Sequence, residues 1–188
     1  MKEKTCCFIG HRKIDKTPAL VEKTTKVIQN LIEEGVEIFL FGSRSQFDDL
    51  CHLIVSKLQE EYPNIKRIMY NCRSEYVVKK EEKESLEEIW SKTLHQEVRL
   101  NDYEGGEMSD RLLRAGRASY VERNQDMINV SDYCVFYYSP NYKPPKRKVY
   151  KDSGIEEQPN SGTHVAYEYA MQRKRGGKEI TVINVMEE

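Results

Sequence analysis

The sequence predicts an α/β fold, a Rossmann-like three-layer sandwich with a mostly parallel central sheet of about five or more strands and an α-helical elaboration. Two observations carry this prediction. Short apolar runs at Thr5–Ile9, Val36–Phe41, Ile65–Asn71, Tyr133–Tyr138 and Ile180–Val185 have the length and residue types of buried strands. Amphipathic helical stripes alternate with the first three, joined by short links. That order calls for parallel pairing through right-handed crossovers.

The first strand stops at Gly10. Asp15 or Thr17 can cap the helix that follows, and Pro18 suits its first position, where the missing N–H has no partner to lose. Leu20, Thr24, Val27, Ile28 and Leu31 keep the helical period, and Gly35 stands where a C-terminal stop belongs. The second strand ends at Gly42. Ser45 and Asp48 then form a capping-box variant ahead of a stripe of Phe47, Leu50, Cys51, Ile54 and Leu58. Pro63-Asn64 breaks the chain before the third strand.

Residues 73–118 read as an elaboration on the core of a single domain spanning 1–188. Within them Lys79 to His95 is helical, with Leu86, Ile89, Trp90 and Leu94 on one face, and Asn101 to Asp110 with its Gly105-Gly106 reads as a loop. Ser119 to Asn129 is helical and precedes the strand at Tyr133. Ser139 to Gln158 is a long polar connection carrying Lys143, Lys146, Arg147, Lys148 and Lys151. It reads as a solvated loop, with a lid over the strand ends as the alternative. The last helix turns Val165, Ala166, Tyr169 and Ala170 inward and ends at Gly176-Gly177.

Thirty basic and thirty-one acidic residues leave a formal net charge of −1. That balance disfavours a nucleic-acid partner bound through bulk charge. The five cysteines include no Cys-x-x-Cys pair, so they read as reduced, mostly buried thiols of a cytoplasmic protein. No apolar run approaches the length of a membrane span, and no secretory signal pattern opens the chain. His164 and Glu168 stand one helical turn apart but lack further ligands at metal-binding spacing, so the expectation is no metal. Nothing points to a bound cofactor.

Three glycine turns fall at the ends of strands or the start of a helix. Gly10-His11-Arg12 brings an imidazole and a guanidinium to the end of the first strand. Arg12 can fork a phosphate and His11 can donate to one; the alternative is a surface arginine and a histidine satisfied by a loop carbonyl. Gly42-Ser43-Arg44 offers hydroxyls, N–H groups and a cation, with Asp48 as helix cap or ribose acceptor. Asn160-Ser161-Gly162-Thr163-His164 opens the last helix with Ser161 as N-cap, a turn suited to anions. On the helix before the Tyr133 strand, Asn124 lies toward the apolar side and needs a partner. Arg123 beside it can reach a phosphate or be solvated. In open parallel sheets, ligands bind beyond the carboxyl ends of the strands, where all these turns gather.

Taken together, Phe8-Ile9-Gly10-His11-Arg12, Gly42-Ser43-Arg44 with Phe47-Asp48, and Tyr120-x-x-Arg123-Asn124-x-x-Met127-Ile128 with Ser131-Asp132 form a familiar series. It continues with Ser161-Gly162-Thr163, Ala166 and Tyr169-Ala170. This series resembles the SLOG superfamily, the Rossmann-like group that includes DprA (Smf) and the Lonely Guy (LOG) enzymes, and within it the YpsA-like branch of small stand-alone proteins. The resemblance implies a nucleotide-derived ligand, of ADP-ribose or phosphoribosyl type, bound in a sensing or ligand-binding role. The alternative it implies is a phosphoribohydrolase-like enzyme that cleaves an N-glycosidic bond. Arg123 matches the arginine of those hydrolases, and Asp48, His164 and Glu168 are the other candidates for chemistry. Their glutamate position is occupied here by Ala166, and the Pro-Gly-Gly of their turn is missing. The partner classes are therefore a phosphorylated nucleoside or nucleotide-derived ligand and a second copy of the chain.

Overall fold

The computed structural model describes residues 3–42, 45–71, 80–94, 103–108, 117–144 and 160–187. In chain order they form β1 (Lys4–Gly10), α1 (Pro18–Glu33), β2 (Val36–Phe41), α2 (Gln46–Leu58), β3 (Lys66–Asn71), α3 (Lys80–Leu94) and β4 (Gly105–Met108). They continue with α4 (Arg117–Val130), β5 (Tyr133–Tyr137), α5 (Gly162–Arg175) and β6 (Thr181–Asn184). The six strands make one sheet in the order β4-β3-β2-β1-β5-β6, and each neighbouring pair is parallel. The α/β prediction therefore holds.

Alternation along each strand decides which layer a side chain enters. Cys6 and Phe8 of β1 join Phe39 and Phe41 of β2 in a core covered by α1, α2 and Trp90 of α3. Cys7, Ile9 and Leu40 enter the opposite core, under Met127 and Ile128 of α4 and Ala166 and Ala170 of α5. Phe8 stacks on Phe39 at 5.8 Å between ring centroids. Each such fully buried ring contributes roughly 1.5–3 kcal/mol.

The helix starts follow their caps. Thr17, not Asp15, caps α1, accepting from the Leu20 N–H at 3.2 Å, with Pro18 next. Ser45 caps α2 and Ser161 caps α5, each accepting from the N–H three residues on at 3.1 Å. Gly35, at φ +90°, supplies the left-handed residue that lets the chain leave α1 for β2.

Gly105–Met108 corrects the sequence reading, which made this stretch a loop. It pairs with β3 in the register Ile68↔Gly105 to Asn71↔Met108. Two glycines carry no strand propensity, so the decision comes from outside the segment. Glu104, just ahead of β4, accepts from the Arg67 backbone N–H at 2.6 Å and from the Arg67 guanidinium, while its own N–H donates to the Arg67 carbonyl. Arg67 is 1% exposed and also donates to Ser56 Oγ at 2.6 Å. Burial alone would raise the Glu104 carboxyl, but hydrogen bonds from Arg67 and Gln59 outweigh it and hold it at about 2. The α3 helix stands as read, though Ile89 points outward while Trp90 fills the core.

Candidate ligand site at the carboxyl edge of the sheet

The strand order reverses between β1 and β5: β1 continues through α1 on one face, and β5 through α5 on the other. The crevice beyond the ends of these two strands is the topological switch point, where open α/β sheets bind ligands. His11 leaves β1 at that point, and Tyr138 and Ser139 leave β5 there.

His11 is 1% exposed. Its backbone N–H donates to the Tyr137 carbonyl, and its Nε2 accepts from the Ser139 N–H at 2.9 Å. The Nε2 of the histidine is thus satisfied by a loop N–H, where a loop carbonyl was the sequence alternative. Accepting at Nε2 assigns the proton of the neutral ring to Nδ1, which is buried and has no hydrogen-bond partner among the described residues. Burial, against a smaller opposing effect of the Ser139 backbone, lowers the imidazole from 6.5 to about 4. At neutral pH the ring is an uncharged donor. Tyr142 stacks on it, 3.9 Å between centroids and 21° between planes.

The glycines of the first two turns face opposite layers. A Cβ on Gly10 would stand 2.5 Å from Phe47 Cβ, so this glycine admits the first turn of α2. A Cβ on Gly42 would meet Met127 Sδ at 2.7 Å, the Tyr70 carbonyl at 2.9 Å and Arg123 Cδ at 3.0 Å. Gly42 therefore lets α4 close on the end of β2 and brings Arg123 there. Both glycines have a packing reason inside the protein. A Cβ on Gly162 would meet nothing within 4 Å. The space at the start of α5 is open, and helix geometry aims the N–H groups of Gly162 and Thr163 outward from that end.

Arg123 is buried, not solvated, and its Nε and Nη2 donate to Asn124 Oδ1 at 3.3 and 3.1 Å. The buried amide thus has its neighbour's guanidinium as a partner. Tyr120 lies under the Arg123 guanidinium at 5.4 Å. His164 Nδ1 is 2.8 Å from Tyr138 Oη. Burial first, and then Glu168, raises the Tyr138 phenol above its ordinary value. His164 stands at the head of a groove of about 510 Å³. Gln125 of α4 and Asn160, Glu168, Tyr169 and Arg175 of the α5 segment line the same groove.

The structure therefore gathers His11, Gly42, Arg123, Asn124, Ser161, Gly162, Thr163 and His164 on the α4/α5 side of the carboxyl edge. Gly10 faces α2, and Asp48, buried in the first turn of α2, lies on the opposite face of the sheet. Arg12 is exposed, and its carbonyl accepts from the Gln46 N–H at 3.0 Å, which ties this turn to α2. Glu168 is exposed along the groove. Ser43, Arg44 and the basic residues 146–151 lie outside the described residues. Among the described residues no three His, Cys, Asp or Glu side chains converge as a metal site, and no helix is long and apolar enough to cross a membrane.

Sequence reasoning missed Tyr138 and Tyr142. Counting by two along β5 puts Tyr138 in the layer of Cys134 and Phe136, one step past the strand end, so its position was available. The stacking of Tyr142 depends on the turn geometry and was not. No protein-family model and no curated protein matches this chain, so the likeness to the SLOG superfamily rests on the motifs themselves.

Proposed function

We propose that this protein binds a nucleotide or nucleotide-derived molecule, of ADP-ribose or phosphoribosyl type, at the carboxyl edge of the sheet, as a sensor or ligand-binding module. The observation that carries the reading is the placement, on one face of the sheet's carboxyl edge, of a neutral imidazole donor at the end of β1, a buried Arg123–Asn124 pair at the end of β2 and the capped N-terminus of α5. That helix end adds outward N–H groups, a favourable dipole for anions and an open approach over Gly162. Binding is favoured over glycosidic cleavage because Ala166 is a buried methyl where the related hydrolases carry a glutamate, and Asp48 lies across the sheet from Arg123.

Thermal shift with AMP, NAD and ADP-ribose tests the ligand class, since any ligand that binds only the folded chain raises its melting point. No shift with any of the three removes the reading. Following free base by chromatography in the same mixtures separates the roles, because turnover would replace the sensor by a hydrolase. Gly162→Leu should abolish the shift without lowering the unliganded melting point.

A further inference from the structure

Nδ1 of His11 is a buried polar atom without a partner among the described residues, at the place where an open parallel sheet takes its ligand. We propose that the His11 Nδ1–H is a donor kept for an oxygen acceptor of the ligand, a phosphate or ribose oxygen, and that it is reached when the Ser139–Tyr142 turn lifts. This rests on the nucleotide reading of the edge.

Three contacts support it. The Ser139 N–H occupies Nε2, which fixes the tautomer and leaves the proton on Nδ1. Tyr142 covers one face of the ring from a four-residue turn that has Pro140 at its second position and is closed by Tyr142 N–H donating to the Ser139 carbonyl at 3.2 Å. Ser139 is the first residue of that turn, so Tyr142 can swing away while the Ser139–His11 hydrogen bond, and with it the tautomer, stays. Finally, Tyr138 stands beside the His11 ring at 5.9 Å and reaches His164 in the first turn of α5. The unpartnered donor and the open helix end are thus neighbours of one tyrosine. A fixed donor of this kind discriminates by chemistry: it donates to an oxygen lone pair and penalises a ligand that offers an N–H or a methylene there.

The test is long-range ¹H–¹⁵N correlation on the labelled full chain, with ADP-ribose as probe and His11→Gln to assign the ring. The expected free-state spectrum has a protonated Nδ1 and a bare Nε2 at pH 7. On saturation with ADP-ribose the Nδ1–H resonance should move and its exchange with water should slow. His11→Gln should weaken ADP-ribose binding about tenfold, one hydrogen bond's worth, and Tyr142→Ala should tighten it. A spectrum with the proton on Nε2 overturns the proposal. So does an ADP-ribose thermal shift with an unmoved His11 resonance, and in that case the nucleotide reading survives. If AMP, NAD and ADP-ribose all fail to shift the melting point, the reading falls and the proposal falls with it.

Discussion

Gly10→Ala and Gly162→Ala make the same chemical change at two glycine turns that look alike in sequence, and the structure assigns them opposite outcomes. The new methyl at position 10 would lie 2.5 Å from Phe47 Cβ and 2.6 Å from both Cγ and Cδ1. Ordinary carbon contacts are about 3.5–4.0 Å, so the overlap is roughly 1 Å on three atoms. Phe47 is fully buried at the start of α2, and because its own Cβ is the nearest atom, no side chain smaller than Phe except Gly would relieve the clash. Overpacking costs about 1–3 kcal/mol, and this case belongs at the upper end. For a chain of this length, about 3 kcal/mol lowers the melting temperature by roughly 6–12 °C. At position 162 the methyl meets nothing, and an alanine that fits the backbone adds about 0.4–1 kcal/mol by restricting the unfolded chain. Urea titrations of the three proteins measure both changes. A Gly10→Ala variant within about 0.5 kcal/mol of the parent would refute the packing account of this turn, and a Gly162→Ala variant that loses as much as Gly10→Ala would refute the open approach at α5.

Three further outcomes follow from the ionisable groups. His11 titrates at about 4 in the folded state against 6.5 unfolded. Its contribution is therefore complete above pH 6.5 and is lost as pH falls toward 4, on the order of 2–3 kcal/mol, read as the difference between parent and His11→Gln in urea at pH 7.5 and 4.5. Asp49 has the opposite sign: burial raises its carboxyl from 3.8 to about 7 against the pull of Lys16, so the folded state holds its proton longer than the unfolded one. Asp49→Asn should stabilise the protein, by on the order of 2 kcal/mol more at pH 8 than at pH 5, and an equal effect at both pH values would contradict the raised carboxyl. Glu104→Ala leaves the Arg67 guanidinium buried without its carboxylate and should cost about 2–4 kcal/mol, since Glu104 itself is part-exposed. Hydrogen exchange should then show β4 amides opening ahead of those in β1 and β2. Because Glu104 titrates at about 2 against 4.5 unfolded, its share of stability is present above pH 4.5 and is lost as pH falls toward 2.

The sequence determined the alternation of strand and helix, because short apolar runs and period-3.6 apolar stripes are local, and β1 to β3, α1 and α2 carry them. It determined the helix starts as well: Ser45 and Ser161 cap through their own next turn, and Thr17 with Pro18 does the same. It also pointed to the carboxyl edge, since strand-end glycines must gather there in any parallel sheet. Tertiary structure decided the rest. β4 exists as a strand because Arg67 and Glu104 hold it to β3, a contact between segments 37 residues apart that no local pattern announces. Gly10, Gly42 and Gly162 look equivalent along the chain, yet one admits α2, one admits α4 and one faces open space, because only three-dimensional packing says what lies opposite a missing Cβ. The sheet itself parts Asp48 from Arg123, and the meeting of β1 with β5 makes His11 a neutral donor with one nitrogen spoken for. A side chain's protonation state depends on its depth and its partners, and both are properties of the folded chain alone.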